Sequence, residues 1–282
     1  MLERVREERT RLAAGAYRHW RPRHVARLTA AWLRDRRGRR TYRLLSEEEL
    51  RAARRSDTAF VFGSGRSLVE ISPEEWARIA EHDTISLREF PRQSWVRADF
   101  HLTGEVDDLD EYARRLRDNP LYANAVFVVM GGFVAHMGNE LVGRGLLPHG
   151  SRVFRFRRRS RWRYAPPSRT TTELVHGANS IFDAVNLAYA LGYRRIVVAG
   201  ADYYNKEYFW LEPGEARVYE PGVDASAPWP QAEQVVEMMG RWREIMNADG
   251  IELLVYNSRS RLAERLPVFA WDGSSVRSAA PQ

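Results

Sequence analysis

Thr58-Ala59-Phe60-Val61-Phe62-Gly63-Ser64-Gly65-Arg66-Ser67-Leu68 is an apolar run that stops on a glycine-bearing turn. About 140 residues later, Arg195-Ile196-Val197-Val198-Ala199-Gly200-Ala201-Asp202-Tyr203-Tyr204 repeats the pattern. Both runs are short, apolar and closed by glycine, so each reads as a buried strand. Ligands of open α/β sheets bind beyond the carboxyl ends of strands, and the two turns therefore mark a candidate site. The first turn suits a phosphate, because glycines allow close backbone approach and N–H groups that point at an anion. It lacks the Gly-Lys-Ser/Thr ending of a Walker loop and the third glycine of a dinucleotide fingerprint. Glycines that serve only the geometry of the turn fit the stretch equally well.

From Ser56 onward, strand and helix patterns alternate. Strands are expected at Thr58–Gly63, Asp83–Leu87, Phe100–Thr103, Ala125–Met130, Val153–Phe156, Arg195–Ala199 and Ile251–Tyr256. Helices are expected at Pro73–His82, Asp107–Asn119, Ser180–Leu191 and Gln231–Asp249, with a short one near Arg259–Arg265. Ser72 and Glu75 form a capping-box pair at the start of the first helix. Such alternation predicts an α/β protein with a mostly parallel, doubly wound sheet. Residues 157–177 and 203–230 carry no period, which in a compact domain marks lids or binding loops.

The chain of 282 residues is 44% hydrophobic, enough for one large domain with an appendage. We divide it into a basic helical extension at 1–55, a domain at 56–272 and a tail at 273–282. Residues 1–55 hold 17 arginines against seven acids, although the whole chain carries only +7. A helix is expected over 1–34, broken or kinked at Pro22, followed by a basic connector from Arg34 to Arg43. Residues 1–45 suit an anionic membrane surface, and suit better a solvated helical hairpin packed on the domain or on another subunit. The arginines are interleaved with acids and accompany no nucleic-acid motif, so no nucleic-acid partner is expected. Cysteine is absent, which excludes disulfides, thiolate metal sites and a cysteine nucleophile. No window reaches the ~18 apolar residues of a membrane span, and no secretory signal opens the chain. A cytoplasmic protein, monomeric or homo-oligomeric, is the expectation.

Several side chains near strand ends can carry chemistry. Asp202, Tyr203 and Tyr204 place a carboxylate and two phenols just past a buried strand, and phenols donate hydrogen bonds to phosphate oxygens or a leaving group. Asn257 and Ser258 follow the last strand, and Asn179 and Ser180 open the strongest helix; each suits a base or ribose, or plain capping. The seven histidines show no metal-ligand spacing, and no metal site built from protein side chains is expected.

In this order, the turns resemble the bacterial sialyltransferases that use CMP-activated sialic acid. The wider group around them includes 6-hydroxymethylpterin diphosphokinase-like and flagellin-glycosylating proteins. The resemblance covers roughly residues 58–268. It rests on Gly63-Ser64-Gly65-Arg66-Ser67-Leu68-Val69-Glu70, Asp83-Thr84-Ile85, Asn179-Ser180, Ala190-Leu191-Gly192-Tyr193, Gly200-Ala201-Asp202-Tyr203-Tyr204 and Tyr256-Asn257-Ser258.

The resemblance implies a Rossmann-like nucleotide-sugar transferase domain that needs no metal and no cofactor beyond its donor. Gly63, Ser64, Gly65, Arg66 and Ser67 would approach the donor phosphate or ribose, while Asn179, Ser180, Asn257 and Ser258 would hold the nucleotide. Tyr204, with Tyr208 as a looser match, would hydrogen-bond the departing phosphate, and Arg66 or an arginine of 157–169 would supplement them. The expected partners are a nucleotide sugar, CMP-linked in preference, and a glycan or glycolipid acceptor at the inner face of the cell membrane. The chain departs from the sialyltransferases at Ser64, where they use Asn, and in lacking any histidine after His176. Asp202, Asp224 and His176 therefore stand as alternative general bases. An ATP-dependent diphosphokinase and a catalytically inactive nucleotide-binding protein are the alternative functions.

Overall fold

The computed structural model describes residues 22–159, 165–215, 226–227 and 229–271. The expected helix before Pro22, Asp224 and the tail from 273 lie outside these residues.

Among the described residues, nine strands form one sheet with every strand pair parallel. They are β1 (Arg43–Leu44), β2 (Thr58–Phe62), β3 (Asp83–Leu87), β4 (Phe100–Thr103), β5 (Val126–Met130), β6 (Arg152–Arg159), β7 (Glu173–Val175), β8 (Arg195–Ala199) and β9 (Glu252–Val255). The spatial order is β1-β6-β5-β4-β3-β2-β8-β9, with β7 also paired to β6. The helices are α1 (Pro22–Gly38), α2 (Glu47–Ala52), α3 (Pro73–Ile79), α4 (Leu109–Asp118), α5 (His136–Gly143), α6 (Ser180–Leu191) and α7 (Ala232–Ala248).

The winding follows from strand chemistry. Ala59 and Val61 of β2 face one core with α6 and α7, while Phe60 and Phe62 face another with α3 and α4. Ile196 and Val198 of β8 split from Val197 and Ala199 in the same way. Side chains on alternate strand positions point to opposite faces, so apolar runs without alternation require a core on both sides. The result is a doubly wound, Rossmann-like α/β fold. From β2 the chain steps outward through β3, β4, β5 and β6, then returns to place β8 and β9 on the other side of β2. That reversal opens a crevice at the carboxyl ends of β2 and β8.

Helix α6 is apolar almost all round, and every residue from Ile181 to Leu191 is buried. Asn179 caps its start by accepting from the Ile181 N–H, and Gly192, at φ +81°, closes its end.

The N-terminal region departs from expectation. Among the described residues the helix runs over Pro22–Gly38, past Arg34. The predicted connector is thus largely helical. α1 buries Leu28, Ala31 and Asp35 against α5. A Cβ on Gly143 would come within 2.6 Å of the Arg34 backbone, so glycine permits the close crossing. Fully buried Asp35 bridges Arg155 of β6 at 2.9 Å and Arg39 at 2.6 Å, and Arg34 bridges Glu140 at 2.7 Å. Burial lowers the Arg155 guanidinium to about 10. β1 joins the sheet beside β6, and Leu50 of α2 lies in the core, so residues 43–52 are woven into the main fold.

One buried network makes stability depend on pH. His101 of β4 is fully buried between Ser86 Oγ at 2.8 Å and Tyr112 Oη at 2.5 Å. Burial lowers the imidazole to about 3, whereas an unfolded histidine protonates near 6.5. Between these values the unfolded chain binds the extra proton, so stability falls as pH drops from about 6.5 toward 3. The slope from this group approaches 1.4 kcal/mol per pH unit. Denaturant melts at pH 6.5 and 5.5 should show about 1 kcal/mol more loss in the native protein than in His101→Gln. Equal losses would contradict this role.

Candidate functional site

The two glycine turns meet at the sheet's reversal point. The Gly63 N–H donates to Ala199 O and the Gly65 N–H to Gly200 O, both at 2.7 Å. A Cβ on Gly63 would stand 2.2 Å from Gly200 O, and one on Gly65 would stand 2.3 Å from Asp202 Oδ2. Both are far inside contact distance. Asp202 completes the junction: its carboxylate accepts from the Ser67 N–H at 3.0 Å and from Ser67 Oγ at 2.5 Å. Burial raises its pKa against these two bonds, which favour the ionised form.

The first turn therefore does not offer its expected row of N–H groups to a phosphate. Those of Gly63, Gly65 and Ser67 are committed to the second turn. The segment that follows is a 3-10 turn at Arg66–Glu70 rather than an α-helix. The glycines serve close backbone approach, which is the geometric alternative left open by the sequence.

Over the junction lies a cavity of about 160 Å³. Of the predicted residues, Gly63, Ser64, Gly65, Asn179, Ser180, Asp202 and Tyr208 line it. Arg66, Ser67, Tyr204, Asn257 and Ser258 are not in its wall. Arg66 reaches sideways to Leu211 O at 2.6 Å. The Asn257 side chain accepts from the Arg259 N–H, and Ser258 is exposed. It is Ser260 that reaches inward, donating to Ala201 O at 2.6 Å and bracing the second turn from behind.

Tyr203 takes the place expected of Tyr204. Its backbone is left-handed, at φ +60°, and its hydroxyl accepts from Asn179 Nδ2 at 2.9 Å. This ties the second turn to the start of α6. Burial pushes the Tyr203 phenol above its ordinary value. Tyr204 lies instead in the field of Asp202, Arg259 and Glu70, with its phenol pushed up to about 12, chiefly by burial. His176 sits behind α6, its Nδ1 2.8 Å from Asp183 Oδ2, and outside the cavity wall. Of the predicted long loops, 157–177 contains the end of β6 and all of β7, while 203–230 supplies Tyr203, Asn205, Glu207, Tyr208, Trp210 and Trp229 to the wall.

The wall also holds residues that the sequence did not single out: Arg88, Glu89, Glu207, Trp210 and Trp229. Arg88 follows β3 with φ +49°, a conformation costing an arginine roughly 1–2 kcal/mol. Its Nε donates to Glu105 O at 2.9 Å, and among the described residues its guanidinium meets no carboxylate within 4 Å. Gly104 makes room for it, since a Cβ there would stand 2.7 Å from Arg88 Cγ. Strain of this kind concentrates at functional sites.

The acids are held unequally. Glu89 is buried beneath Arg92 at 2.7 Å and Arg115 at 3.2 Å, and Asp202 is bound twice by Ser67. Glu207 is the most loosely held, with Arg66 Nε at 3.8 Å and the Gly214 N–H at 3.2 Å. Among the described residues, no three His, Asp or Glu side chains stand close enough together to hold a metal ion.

The cavity thus presents the N-terminus of a buried helix, an arginine that meets no carboxylate among the described residues, two phenols and two indoles. Such a set can hold an anion beside a flat ring: helix N-terminus and guanidinium for the charge, indoles for stacking. No protein-family model matches the chain, and no curated protein matches it in sequence.

Proposed function

We propose that this protein is a glycosyltransferase that moves a sugar from a nucleotide-activated donor, CMP-linked in preference, to a hydroxyl of a cell-surface glycan or glycolipid. The observation that carries the reading is the cavity at the reversal point of the sheet, with the start of α6 and Arg88 in one wall. The nucleotide phosphate lies between the Ser180 end of α6 and Arg88, and the base stacks on Trp210 or Trp229. The acceptor oxygen attacks the anomeric carbon, and the bond from that carbon to the phosphate oxygen breaks. The electron pair leaves on the phosphate, where Arg88, Tyr208 and Tyr203 stabilise it. The acceptor's proton passes to Glu207, the least engaged acid of the wall. The resemblance implies that this chemistry runs without a metal.

The test is to incubate the full-length protein with CMP-, UDP- and GDP-sugars and measure nucleotide release. We expect release from one nucleotide class, and silence across all three would overturn the proposal. The internal bonding of Asp202 and Glu89 favours one second reading, a nucleotide-binding protein that does not turn over. CMP binding with no release from any donor would select it.

The proposal includes attachment to the inner face of the membrane through basic residues of 1–45. No helix of the described residues is long and apolar enough to cross a membrane. Arg23 and Arg27 project from α1 into solvent, and each is worth about 1 kcal/mol at an anionic surface. Reversing both to Glu should weaken binding to phosphatidylserine vesicles at low salt by at least tenfold. Unchanged sedimentation with vesicles would remove the membrane from the proposal.

A further inference from the structure

A second cavity, of about 530 Å³, lies along the same edge of the sheet, beyond β4, β5 and β6 and beneath α1. Thr103, Met130 and Arg158 mark the strand ends, His24 and Leu28 come from α1, and His136 from the start of α5. Arg88 lines this cavity as well as the first, so one side chain stands between the two.

The charges in the second cavity are ordered. Its cationic and imidazole groups, Arg88, Arg158, His24 and His136, are half-buried, while its two acids, Glu105 and Asp107, are exposed at the rim. Arg158 is anchored from behind by buried Asp183 at 2.8 Å, and its side chain stays partly exposed. The start of α5 has no side-chain cap, and Met137 and Gly138 of its first turn line the wall. Burial and the cations Arg27 and Arg34 favour the neutral form of His136, which leaves it a neutral hydrogen-bond donor near neutral pH. Arg88, which among the described residues meets no carboxylate, a second, partly exposed arginine at Arg158, two imidazoles and an uncapped helix start make the interior of this cavity suited to an anion.

We infer that the second cavity is the acceptor subsite, and that it takes an acceptor bearing a phosphate or carboxylate. The acceptor role rests on the transferase reading above; the anion site itself does not. Arg88 then serves both substrates. It meets the donor phosphate on one side and the acceptor's anion on the other, which places the acceptor hydroxyl next to the bond to be broken. The strained backbone of Arg88 is the cost of standing at that junction.

The experiment is titration calorimetry on the full-length protein with galactose 1-phosphate, galacturonate and uncharged galactose, each with and without saturating CMP. We expect one or both anionic sugars to bind with CMP already bound, and galactose to bind at least tenfold more weakly. The double variant His24→Ala, His136→Ala should weaken the anionic sugar at least fivefold and leave CMP affinity unchanged. Sugar anions that compete with CMP, that bind no better than galactose, or that ignore the double variant overturn the inference. Anionic sugars that bind while CMP does not would keep the anion site and overturn the transferase reading instead. CMP binding with nucleotide release and no sugar-anion binding would do the reverse.

Discussion

Replacing Gly63 by alanine should destabilise the protein by about 3 kcal/mol or more, the upper end of overpacking effects. The added Cβ would stand 2.2 Å from Gly200 O and 2.8 Å from Gly200 C, and both are backbone atoms. Side chains rotate away from an intruding methyl group; here two strand-end backbones, hydrogen-bonded through Gly63 N–H to Ala199 O, would have to separate. For a domain of this size the expected loss is about 6–12 °C in melting temperature, read by calorimetry or circular dichroism. Gly132→Ala is the control: that glycine has a positive φ, which Gly63 does not, and a Cβ there meets nothing within 4 Å. It should cost only about 1 kcal/mol of backbone strain. Equal losses at the two positions would show that the turns do not depend on close approach.

Arg88→Gly should separate stability from activity. Glycine adopts φ +49° freely, so the variant relieves the left-handed strain of the arginine. It also loses the Nε bond to Glu105 O, worth roughly 1 kcal/mol. The two nearly cancel, and the melting temperature should stay within about 3 °C. Nucleotide release should fall about 100-fold, the usual scale for one charge-stabilising donor, or about 2.7 kcal/mol. Arg88→Lys keeps the charge without the planar fork and should recover only part of the loss. A variant that melts far lower would make Arg88 a structural residue. One that melts normally and releases nucleotide at full rate would remove it from the site.

The framework was legible because its signals are local and strong. Asp83–Leu87, Phe100–Thr103, Ser180–Leu191 and Arg195–Ala199 appear within the bounds expected from apolar runs and caps. What escaped notice was short or weakly patterned. β1 and β7 have two and three residues and pair only with β6. α5 carries two glycines and no side-chain cap. α2 did have a signal, the Ser46 and Glu49 capping box that the structure contains.

The candidate site was legible to the level of strand ends and no finer. Glycine closing a buried strand pointed to both turns correctly, because that combination reports backbone geometry. Which of Tyr203 and Tyr204 faces the crevice depends on a left-handed φ at Tyr203, which no residue type announces. Asn257 and Ser258 obeyed the strand-end rule yet miss the wall. They follow β9, which lies two strands from β2, and each strand adds roughly 4.8 Å. Arg88 was invisible for the same kind of reason, since only the fold shows that it is strained, half-buried and, among the described residues, away from any carboxylate.

A crystal of the full-length protein soaked with CMP would show directly where the nucleotide sits. Phosphate density is expected between the Ser180 end of α6 and the Arg88 guanidinium, with the base against Trp210 or Trp229. Density beside Asn257 and Ser258, or an empty crevice at saturating CMP, would contradict that placement.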